Sequence, residues 1–366
     1  MSVGNESDII NEIIIYYVNR NRIQQYQQAF STSMSYKVSL LVPVFGVERY
    51  MERCARSLFE QTYPNLEYVF VNDCTKDGSV EVLKKVLEAY PEKRDAVKIV
   101  DHERNRGLAA ARNTALDHAT GAFVCLVDSD DWLELDALEL LVNKQLERDA
   151  DIVSGKRMIH YPDKDDLLEE QKSQSREEMT LLMMQHSWDH FITGRLVRRS
   201  LFMNNGLRWN EGADVAEDRF MMTLLAYHAQ SFDSLDNLVY HYERRNEHAL
   251  TKTSDRHRFF ENNDQELLNL RSLKHFFNGK EDVFLRECMR CEMDQLEFNL
   301  KMALAFSSKE EFKKIAGTID GHTDDELKLI GWRKTGIKGW CLHNYSWMRL
   351  NWLKGKTIRF VKKRLA

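Results

Sequence analysis

Four apolar runs alternate with three amphipathic helical patterns between Tyr36 and Val127, and this alternation limits the possible folds more than any other feature of the sequence. Short runs rich in β-branched residues are typical of buried strands, and apolar residues spaced three and four apart predict helices. Strands that alternate with helices build a mostly parallel sheet covered by helices, so the chain is predicted to be an α/β protein. The predicted strands are residues 37–42, 67–71, 97–100 and 122–127, and the predicted helices are residues 48–61, 79–90 and 108–119.

Three aspartates, Asp128, Asp130 and Asp131, follow the fourth predicted strand with no turn residue before them. Ligands of open α/β sheets bind at the carboxyl ends of the strands, so this position favours a binding site over a solvated loop. Asp128 and Asp130 are able to share a hard divalent cation whose coordination the phosphates of a ligand complete. The alternative is an acidic turn without a function, because short acidic motifs are frequent.

The loops after the other three strands, residues 43–48, 72–78 and 105–113, are polar and are predicted to lie on the same rim of the sheet. Neither G-x-G-x-x-G nor G-x-x-x-x-G-K-[ST] occurs in the sequence, so the glycine loops of dinucleotide enzymes and P-loop NTPases are excluded as the organising device. We therefore expect a cation to hold the phosphates of a ligand bound at this rim.

Four segments in this order resemble the family 2 glycosyltransferases of the GT-A fold, of the type that builds bacterial cell-surface or capsular polysaccharides. They are Val-Pro-Val-Phe at 42–45, residues 71–79, residues 105–113 and Asp-Ser-Asp-Asp-Trp at 128–132. The resemblance extends from about Tyr36 to Ser254. It implies a Rossmann-like sheet flanked by helices with a C-terminal helical extension. It also implies an inverting hexosyltransferase with a nucleotide-sugar donor, UDP first among them, and with Mn²⁺ or Mg²⁺ as cofactor.

The same resemblance assigns roles to individual residues. Asp73 matches the acid that bonds the edge of uracil, Asp128 the acid that faces the ribose, and Asp130 the metal ligand, with Asp128 beside it. The structural alternatives are that Pro43 only ends a strand, that Asp73 caps a turn and that Arg112 is a surface helix residue. The positions assigned to the nucleotide sugar are Pro43, Val44, Glu48, Asp73, Arg112 and Asp128.

Inversion at the sugar carbon requires a base on the face opposite the leaving group, within reach of the acceptor hydroxyl. Residues 211–220 resemble the Glu-Asp motif of the family, and on that match Asp218 is the base and Glu217 orients the base or the acceptor. A helix N-terminus favours the ionised carboxylate. The structural alternative is an ordinary acidic first turn of a helix.

Residues 240–245 and 250–253 resemble the family segment that closes over the diphosphate. This match makes His241 a further candidate metal ligand and Arg244 or Arg245 a candidate phosphate contact. A histidine packed in the protein is the alternative for His241. The chain departs from the family at Gly46 and over 74–76, which alters the details of the donor pocket.

The composition divides the chain into four predicted parts: a helical arm over residues 1–35, a catalytic domain over 36–255, a helical extension over 256–330 and a basic tail over 331–366. The arm is predicted to pack on the body or on a second copy, which would make a homo-oligomer. The charged segment 162–178 lacks apolar periodicity and is predicted to be a mobile loop.

Cysteines and charge limit the compartment and the partners. Cys54, Cys74 and Cys125 lie on or beside predicted buried elements, which favours a reducing compartment, and Cys288 and Cys291 lack the second pair that a zinc site needs. The net charge of −5 gives no field that would attract nucleic acid.

The tail combines basic residues with four of the seven tryptophans, which lie between Trp332 and Trp352. A basic amphipathic helix with tryptophans is typical of a segment that lies on an anionic membrane. A helix docked on the body is the alternative. We accordingly expect a cytoplasmic protein, either free or peripheral on the cytoplasmic face of the membrane, where a lipid-linked acceptor would lie.

Two other functional classes share features with this sequence. A sugar-nucleotide pyrophosphorylase has a similar sheet and acidic site, but it carries a glycine-rich basic loop after the first strand, and residues 43–48 are not such a loop. A non-catalytic glycan-binding or membrane-binding protein on the same fold would be expected to lack the acids, whereas Asp128, Asp130 and Asp218 are all present. Glycosyl transfer is therefore the predicted function.

Overall fold

The computed structural model describes residues 36–169, 175–185, 190–246, 256–306 and 308–320. The predicted N-terminal arm and basic tail lie outside these residues. The described chain forms two compact units, each built from several stretches of sequence. The first unit comprises residues 36–169, 175–176, 192–208 and 228–246, and the second comprises 177–185, 190–191, 209–227, 256–306 and 308–320.

The first unit contains a nine-stranded sheet. The strands are β1 (Val38–Val44), β2 (Leu66–Asn72), β3 (Val97–Asp101), β4 (Phe123–Leu126), β5 (Trp132–Leu133), β6 (Ile152–His160), β7 (Asp165–Leu168), β8 (Leu196–Arg198) and β9 (Phe232–Glu243). Their order is β3-β2-β1-β4-β8-β6-β9-β5, and β7 pairs with β6. The four strands predicted from the β-α run are parallel to one another, as predicted. β9 is parallel to β6, whereas β5, β7 and β8 pair antiparallel, so the second half of the sheet is mixed.

Strand β1 is buried along its whole length, which explains why its sequence is apolar except for Ser39. Helices α1 (Glu48–Phe59), α2 (Ser79–Glu88) and α4 (Ala137–Arg148) share one apolar cluster with alternate residues of β1. Helix α3 (Leu108–His118) packs against β1 and β2 and lies outside that cluster, which places it on the other face of the sheet. The central strands are thus covered on both sides.

The register of the parallel strands brings their carboxyl ends to one edge. Val44 pairs with Asn72, and Asn72 pairs with Asp101. On the other side of β1, Leu41 pairs with Leu126, two residues before Asp128. The loops that follow these strands therefore start side by side, as the sequence predicts.

Helices make up most of the second unit. They are α5 (Arg176–Met184, which starts in the first unit), α7 (Glu217–His228, except its last residue), α8 (Arg256–Phe277), α9 (Asp282–Ala305) and α10 (Lys309–Asp320). The short α6 (Arg199–Asn205) belongs to the first unit. Helices α8, α9 and α10 share a core that includes Leu267, Met293, Leu296 and Leu300. Within the described ranges, no helix combines the length and the apolar character needed to cross a bilayer.

The prediction of a mobile loop over 162–178 is wrong for part of that segment. Residues Asp165–Leu168 form β7, which pairs with β6 from Arg157 to His160, and α5 begins at Arg176. A four-residue edge strand whose side chains are half exposed carries no continuous apolar run. The charged sequence therefore gave no pattern from which this strand could be predicted.

Candidate active site

The acidic turn begins where β4 ends. Val127 still donates its backbone N–H to the carbonyl of Leu41 (3.0 Å), and the backbone N–H of Asp131 then closes a turn on the carbonyl of Asp128 (3.0 Å). This turn leaves the side chains of Asp128 and Asp130 half-buried and buries Asp131 completely. The three acids therefore have different environments although they are neighbours in sequence.

The side chain of Asp131 links the acidic turn to β9 within the first unit. The hydroxyl of Tyr240 donates to its Oδ2 (2.5 Å), and the backbone N–H of Glu243 donates to its Oδ1 (2.8 Å). Burial, followed by the charge of Asp130, raises the pKa of the Asp131 carboxyl well above its usual range. Because both oxygens are bonded to β9, Asp131 holds this strand against the acidic turn.

Asp130 and Asp128 form the pair that the sequence predicts as a cation site. Asp130 accepts a hydrogen bond from the side-chain amide of Asn246 (2.9 Å). Burial and the nearby charge of Asp128 raise the pKa of Asp130 to about 6. A divalent cation would relieve this repulsion, and two carboxylates suit Mg²⁺ or Mn²⁺, which prefer oxygen ligands. Among the described residues, no cluster of three or more His, Cys, Asp or Glu is arranged to hold a metal, so water or a bound ligand would complete the coordination.

Arg112 holds Asp128. Its side chain is fully buried in α3, and its Nη2 donates to Oδ1 of Asp128 (3.0 Å). The alternative of a surface helix residue is therefore wrong. A guanidinium that cannot reach solvent fixes the direction of the Asp128 carboxylate, which is 29% exposed at the rim.

Asp73 ties the ends of three strands together. Its backbone N–H donates to Val44 at the end of β1 (3.0 Å), while its carboxylate accepts the backbone N–H groups of Arg106 and Gly107 (both 2.8 Å) and lies 2.6 Å from Nδ1 of His102. Gly107 has φ +92°, a conformation that only glycine adopts easily, so the loop after β3 can bend toward Asp73. The carboxylate is buried and orders the rim.

Pro43 and Val44 lie buried at the end of β1, and Glu48 begins α1. Glu48 is exposed, and its carboxylate accepts the backbone N–H of Gly78 (2.9 Å), while its own N–H donates to Asp77 (3.0 Å). These bonds join the loop after β1 to the loop after β2. The predicted donor residues of the first unit are thus brought to one rim, linked by hydrogen bonds.

A second set of residues around the acidic turn was not identified from the sequence. Nη2 of Arg53 donates to the backbone carbonyl of Asp130 (2.9 Å) and to the buried carboxylate of Glu243 (3.1 Å). Glu243 also accepts two side-chain bonds from Arg245 (2.7 and 2.8 Å). Arg245, a predicted phosphate contact, is therefore paired with Glu243, and Arg244 lies over the ring of Tyr161.

His241 is packed among other side chains. Its ring stacks on Trp132 (centroids 4.6 Å apart), its Nε2 lies 2.7 Å from Glu134 Oε1, and its Nδ1 lies 3.0 Å from Nε2 of His160. Burial lowers the pKa of His241. With both ring nitrogens in hydrogen bonds, this arrangement favours the packed-histidine alternative over the metal-ligand role.

Glu217 and Asp218 occupy the first turn of α7, as the sequence predicts, and this turn belongs to the second unit. Ala216, directly before them, has φ +57°, and both carboxylates are half-buried. Arg219, the next residue, is buried and paired with Glu266 of α8 (2.9 Å). That pair anchors the turn that carries the two acids.

The partners that the sequence did not reveal come from β9 and the residues after it. Tyr240 and Glu243 lie in the segment that the family resemblance marks, but that resemblance points to phosphate rather than to Asp131 and Arg53. Asn246, the partner of Asp130, follows the marked segment directly. The position of the polar Asn246 directly after residues 240–245 was the sequence signal that could have identified it as a site residue.

Comparisons with known proteins show which proteins this chain is similar to. A family model described as Glycosyl transferase family 2 matches residues 39–206. Glycosyltransferase GlyA of Streptococcus pneumoniae serotype 4 is 43% identical over 119 residues, which are 32% of this chain and 16% of that protein. The uncharacterized glycosyltransferase EpsJ of Bacillus subtilis is 32% identical over 226 residues, 59% of this chain and 63% of that protein.

Among solved structures, S. aureus TarS 1-349 in complex with UDP-GlcNAc has a TM-score of 0.57 at 21% identity, over 80% of this chain and 84% of that one. At this identity the likeness establishes a common fold. The matched segments span 16% and 63% of the lengths of the two curated relatives above.

Proposed function

This chain belongs to family 2 of the glycosyltransferases and has the GT-A fold, and on this premise we propose that it moves a sugar from a nucleoside-diphosphate donor to a hydroxyl group of a saccharide acceptor. One observation carries the proposal. The acidic turn and the three other strand-end loops are linked by hydrogen bonds into a single rim that presents Asp128 and Asp130.

The nucleoside of the donor is assigned to the ends of β1 and β2. Pro43, Val44 and Asp73 lie together there, and Glu48 is exposed beside them. UDP is the proposed nucleotide, and the TarS structure that contains UDP-GlcNAc supports this choice through the shared fold. Arg112 contributes by orienting Asp128 toward the ribose rather than by contact with the ligand, because its side chain is fully buried.

We assign Asp128 and Asp130 to a divalent cation, Mn²⁺ or Mg²⁺. The raised pKa of Asp130 supports this assignment, because burial and, after it, the charge of Asp128 disfavour its ionised carboxylate, and a cation would offset both. When bound, such a cation neutralises charge on the departing diphosphate. Asn246 keeps Asp130 in place by donating to Oδ2.

Asp218 is the proposed base and Glu217 its neighbour. The carboxylate of Asp218 takes the proton of the acceptor hydroxyl as that oxygen bonds to the sugar carbon, and the bond from this carbon to the diphosphate oxygen breaks. Attack on the face opposite the leaving group inverts the configuration. The position of Asp218 in the first turn of α7, where the family match places the base, supports the role.

The proposed acceptor is a glycan or a lipid-linked saccharide of a bacterial surface polysaccharide. The basic tail over 331–366, with its interleaved tryptophans, supports a place on an anionic membrane surface. The tail lies outside the described residues.

A panel of nucleotide sugars tests the proposal. We expect the wild type to release nucleoside diphosphate from one of them in the presence of Mn²⁺, and to lose most of this activity with EDTA. Asp130→Ala should lower kcat by at least about 100-fold, which is the scale of losing a group that stabilises the transition state. Asp218→Asn should abolish transfer to the acceptor.

Asp95→Ala is the matched control, because Asp95 is an exposed acid far from the rim in sequence and sheet position. It should keep wild-type activity. Absence of donor cleavage with every nucleotide sugar, or full activity of Asp130→Ala, would rule out the proposed function.

A further inference from the structure

A groove of about 610 Å³ runs along α1 in the first unit and is not part of the rim described above. One wall is a row of arginines, Arg49, Arg53 and Arg56, which lie four and three residues apart and so share a face of the helix. Leu133 and Leu135 line the groove as well, and Leu135 is 54% exposed. We call this feature the arginine groove.

Two of the three arginines have N–H donors that bond no acceptor in the described part of the chain. Arg49 makes no hydrogen bond or ion pair with any residue in the described part of the chain, and its side chain is exposed. Arg53 uses Nη2 for Asp130 and Glu243, whereas its Nη1 has no bonding partner within the same described ranges and is not enclosed. Guanidinium groups four residues apart repel each other when no anion lies between them.

Both glutamates that line the arginine groove have partners of their own. Glu52 is paired with Arg56 (2.9 Å), and Glu60 accepts the hydroxyl of Tyr90. The lining contains three arginines and two glutamates, and Arg53 is also paired with Glu243 outside the lining, so Arg49 is the cation without an acidic partner among the described residues. An anion would therefore bind at Arg49 without displacing an internal partner.

Arg53 connects the arginine groove to the candidate active site. Its guanidinium bonds the backbone of Asp130 and lies 3.6 Å above the ring of Trp132, the residue that follows the acidic turn. Exposed leucine beside exposed guanidinium suits a ligand with an apolar ring face and an acidic substituent. Given the proposed function, the ligand of this kind to consider is a saccharide that carries a carboxylate or a phosphate.

We propose that the arginine groove binds the acidic group of the acceptor saccharide, through Arg49 and the Nη1 side of Arg53. The inference rests on the proposed function and adds to it the substrate class. A bidentate guanidinium is the usual partner of carboxylate and phosphate, and the groove offers two such groups at its charged end.

Calorimetric titration of the full chain with three simple sugars tests this assignment. Methyl glucuronide carries a carboxylate, glucose 6-phosphate a phosphate, and methyl glucoside neither. We expect one of the acidic sugars to bind at least about tenfold more tightly than methyl glucoside, which is the scale of one charge-assisted contact. The acidic sugar that shows the advantage identifies the group.

Arg49→Ala should reduce this advantage and Arg49→Glu should abolish it. Lys84→Ala, which removes an exposed cation of α2 outside the arginine groove, is the matched control and should keep the wild-type advantage. In a transfer assay with an acidic acceptor, Arg49→Ala should raise KM more than it lowers kcat.

Equal binding of all three sugars to the wild type would overturn the assignment, and so would an unchanged advantage in Arg49→Glu. These outcomes differ from failure of the proposed function. Selective binding without any donor cleavage would contradict glycosyl transfer and still support the anion site, whereas donor cleavage with equal binding would contradict the site alone.

Discussion

At the scale of single residues, the rim is held by buried charged groups that each have a specific partner. Arg112 has no solvent exposure and meets Asp128, and Asp73 meets two backbone N–H groups and His102. Removing one partner of such a pair leaves a buried charge without compensation, which costs more than the pair contributes. A buried and an exposed arginine variant therefore separate the ordering role from an effect of surface charge.

Arg112→Met should lower the free energy of unfolding by about 3 kcal/mol and weaken UDP binding, because Asp128 loses the group that orients it. Urea unfolding and titration with UDP measure the two effects. The control is Arg148→Met, since Arg148 is 69% exposed and lies 3.7 Å from Asp233, and its change should stay within about 0.5 kcal/mol. Equal effects of the two variants would contradict the ordering role.

Glu67 gives a pH-dependent contribution to stability. Burial alone would raise its pKa, but hydrogen bonds from Ser39 and Thr120 and the charge of Lys98 outweigh burial and lower the pKa to about 2. A carboxyl whose pKa is lowered in the folded state stabilises the fold above its unfolded pKa. This contribution is lost as the pH falls through the folded value.

Glu67→Gln should therefore lower the free energy of unfolding by about 2 kcal/mol at pH 7, with the difference from the wild type shrinking between about pH 4.5 and pH 2. Denaturant unfolding across this pH range checks the prediction. Glu81→Gln, at an exposed position of α2, should show no such trend. A constant difference from pH 7 to pH 2 would contradict it.

At the scale of elements, the β-α run was predictable because its strands are buried on both faces and its helices have one apolar face. β1 and α1 lie within two residues of their predicted bounds. The short strands β5, β7 and β8 were not predictable, because two to four residues show no periodicity. Their pairing partners are also distant in sequence, as Trp132 and His241 show.

The residues of the candidate site likewise divide into those that the sequence predicted and those that it did not. Asp128, Asp130 and Asp73 follow predicted strands, so their common rim followed from the β-α order. Tyr240 donates to Asp131 and Asn246 donates to Asp130, and both donors lie more than 100 positions further along the chain. No local pattern encodes a contact at that separation.

Gly194 should be essential for the placement of β9. A Cβ atom there would lie 2.5 Å from the ring of Tyr240, and its φ of +68° disfavours other residues. Gly194→Ala should therefore cost about 3 kcal/mol or more, since a clash adds to backbone strain of about 1 kcal/mol, and it should shift the Tyr240 hydroxyl from Asp131. Thermal unfolding and donor cleavage measure the two effects.

Gly206→Ala is the control for this variant. Gly206 has a similar φ of +61°, but a Cβ atom there would meet nothing within 4 Å. Its cost should be confined to backbone strain of about 1 kcal/mol, with donor cleavage retained. The interpretation would be wrong if both glycine variants lost the same stability and activity.

At the scale of the whole molecule, the chain combines the sheet unit, the helical unit and the sequence outside them. A version truncated after Ile330 lacks the basic, tryptophan-rich tail. It should lose most of its binding to vesicles that contain phosphatidylserine, because each basic residue near such a surface contributes about 1 kcal/mol. Sedimentation of the protein with vesicles measures the loss, and neutral vesicles are the control. Unchanged sedimentation of the truncated chain would end the membrane proposal.

The two units interleave along the sequence, and this order bears on how the protein is made. The first unit needs residues 228–246, yet residues 177–185 and 209–227 of the second unit leave the ribosome before them. A nascent chain that has just exposed its acidic turn has neither Tyr240 nor Asn246 to secure it. Synthesis proceeds at about 5–20 residues per second, so several seconds pass before the hydrogen-bond donors of these carboxylates are synthesised. A chaperone is able to bind the nascent chain during that interval.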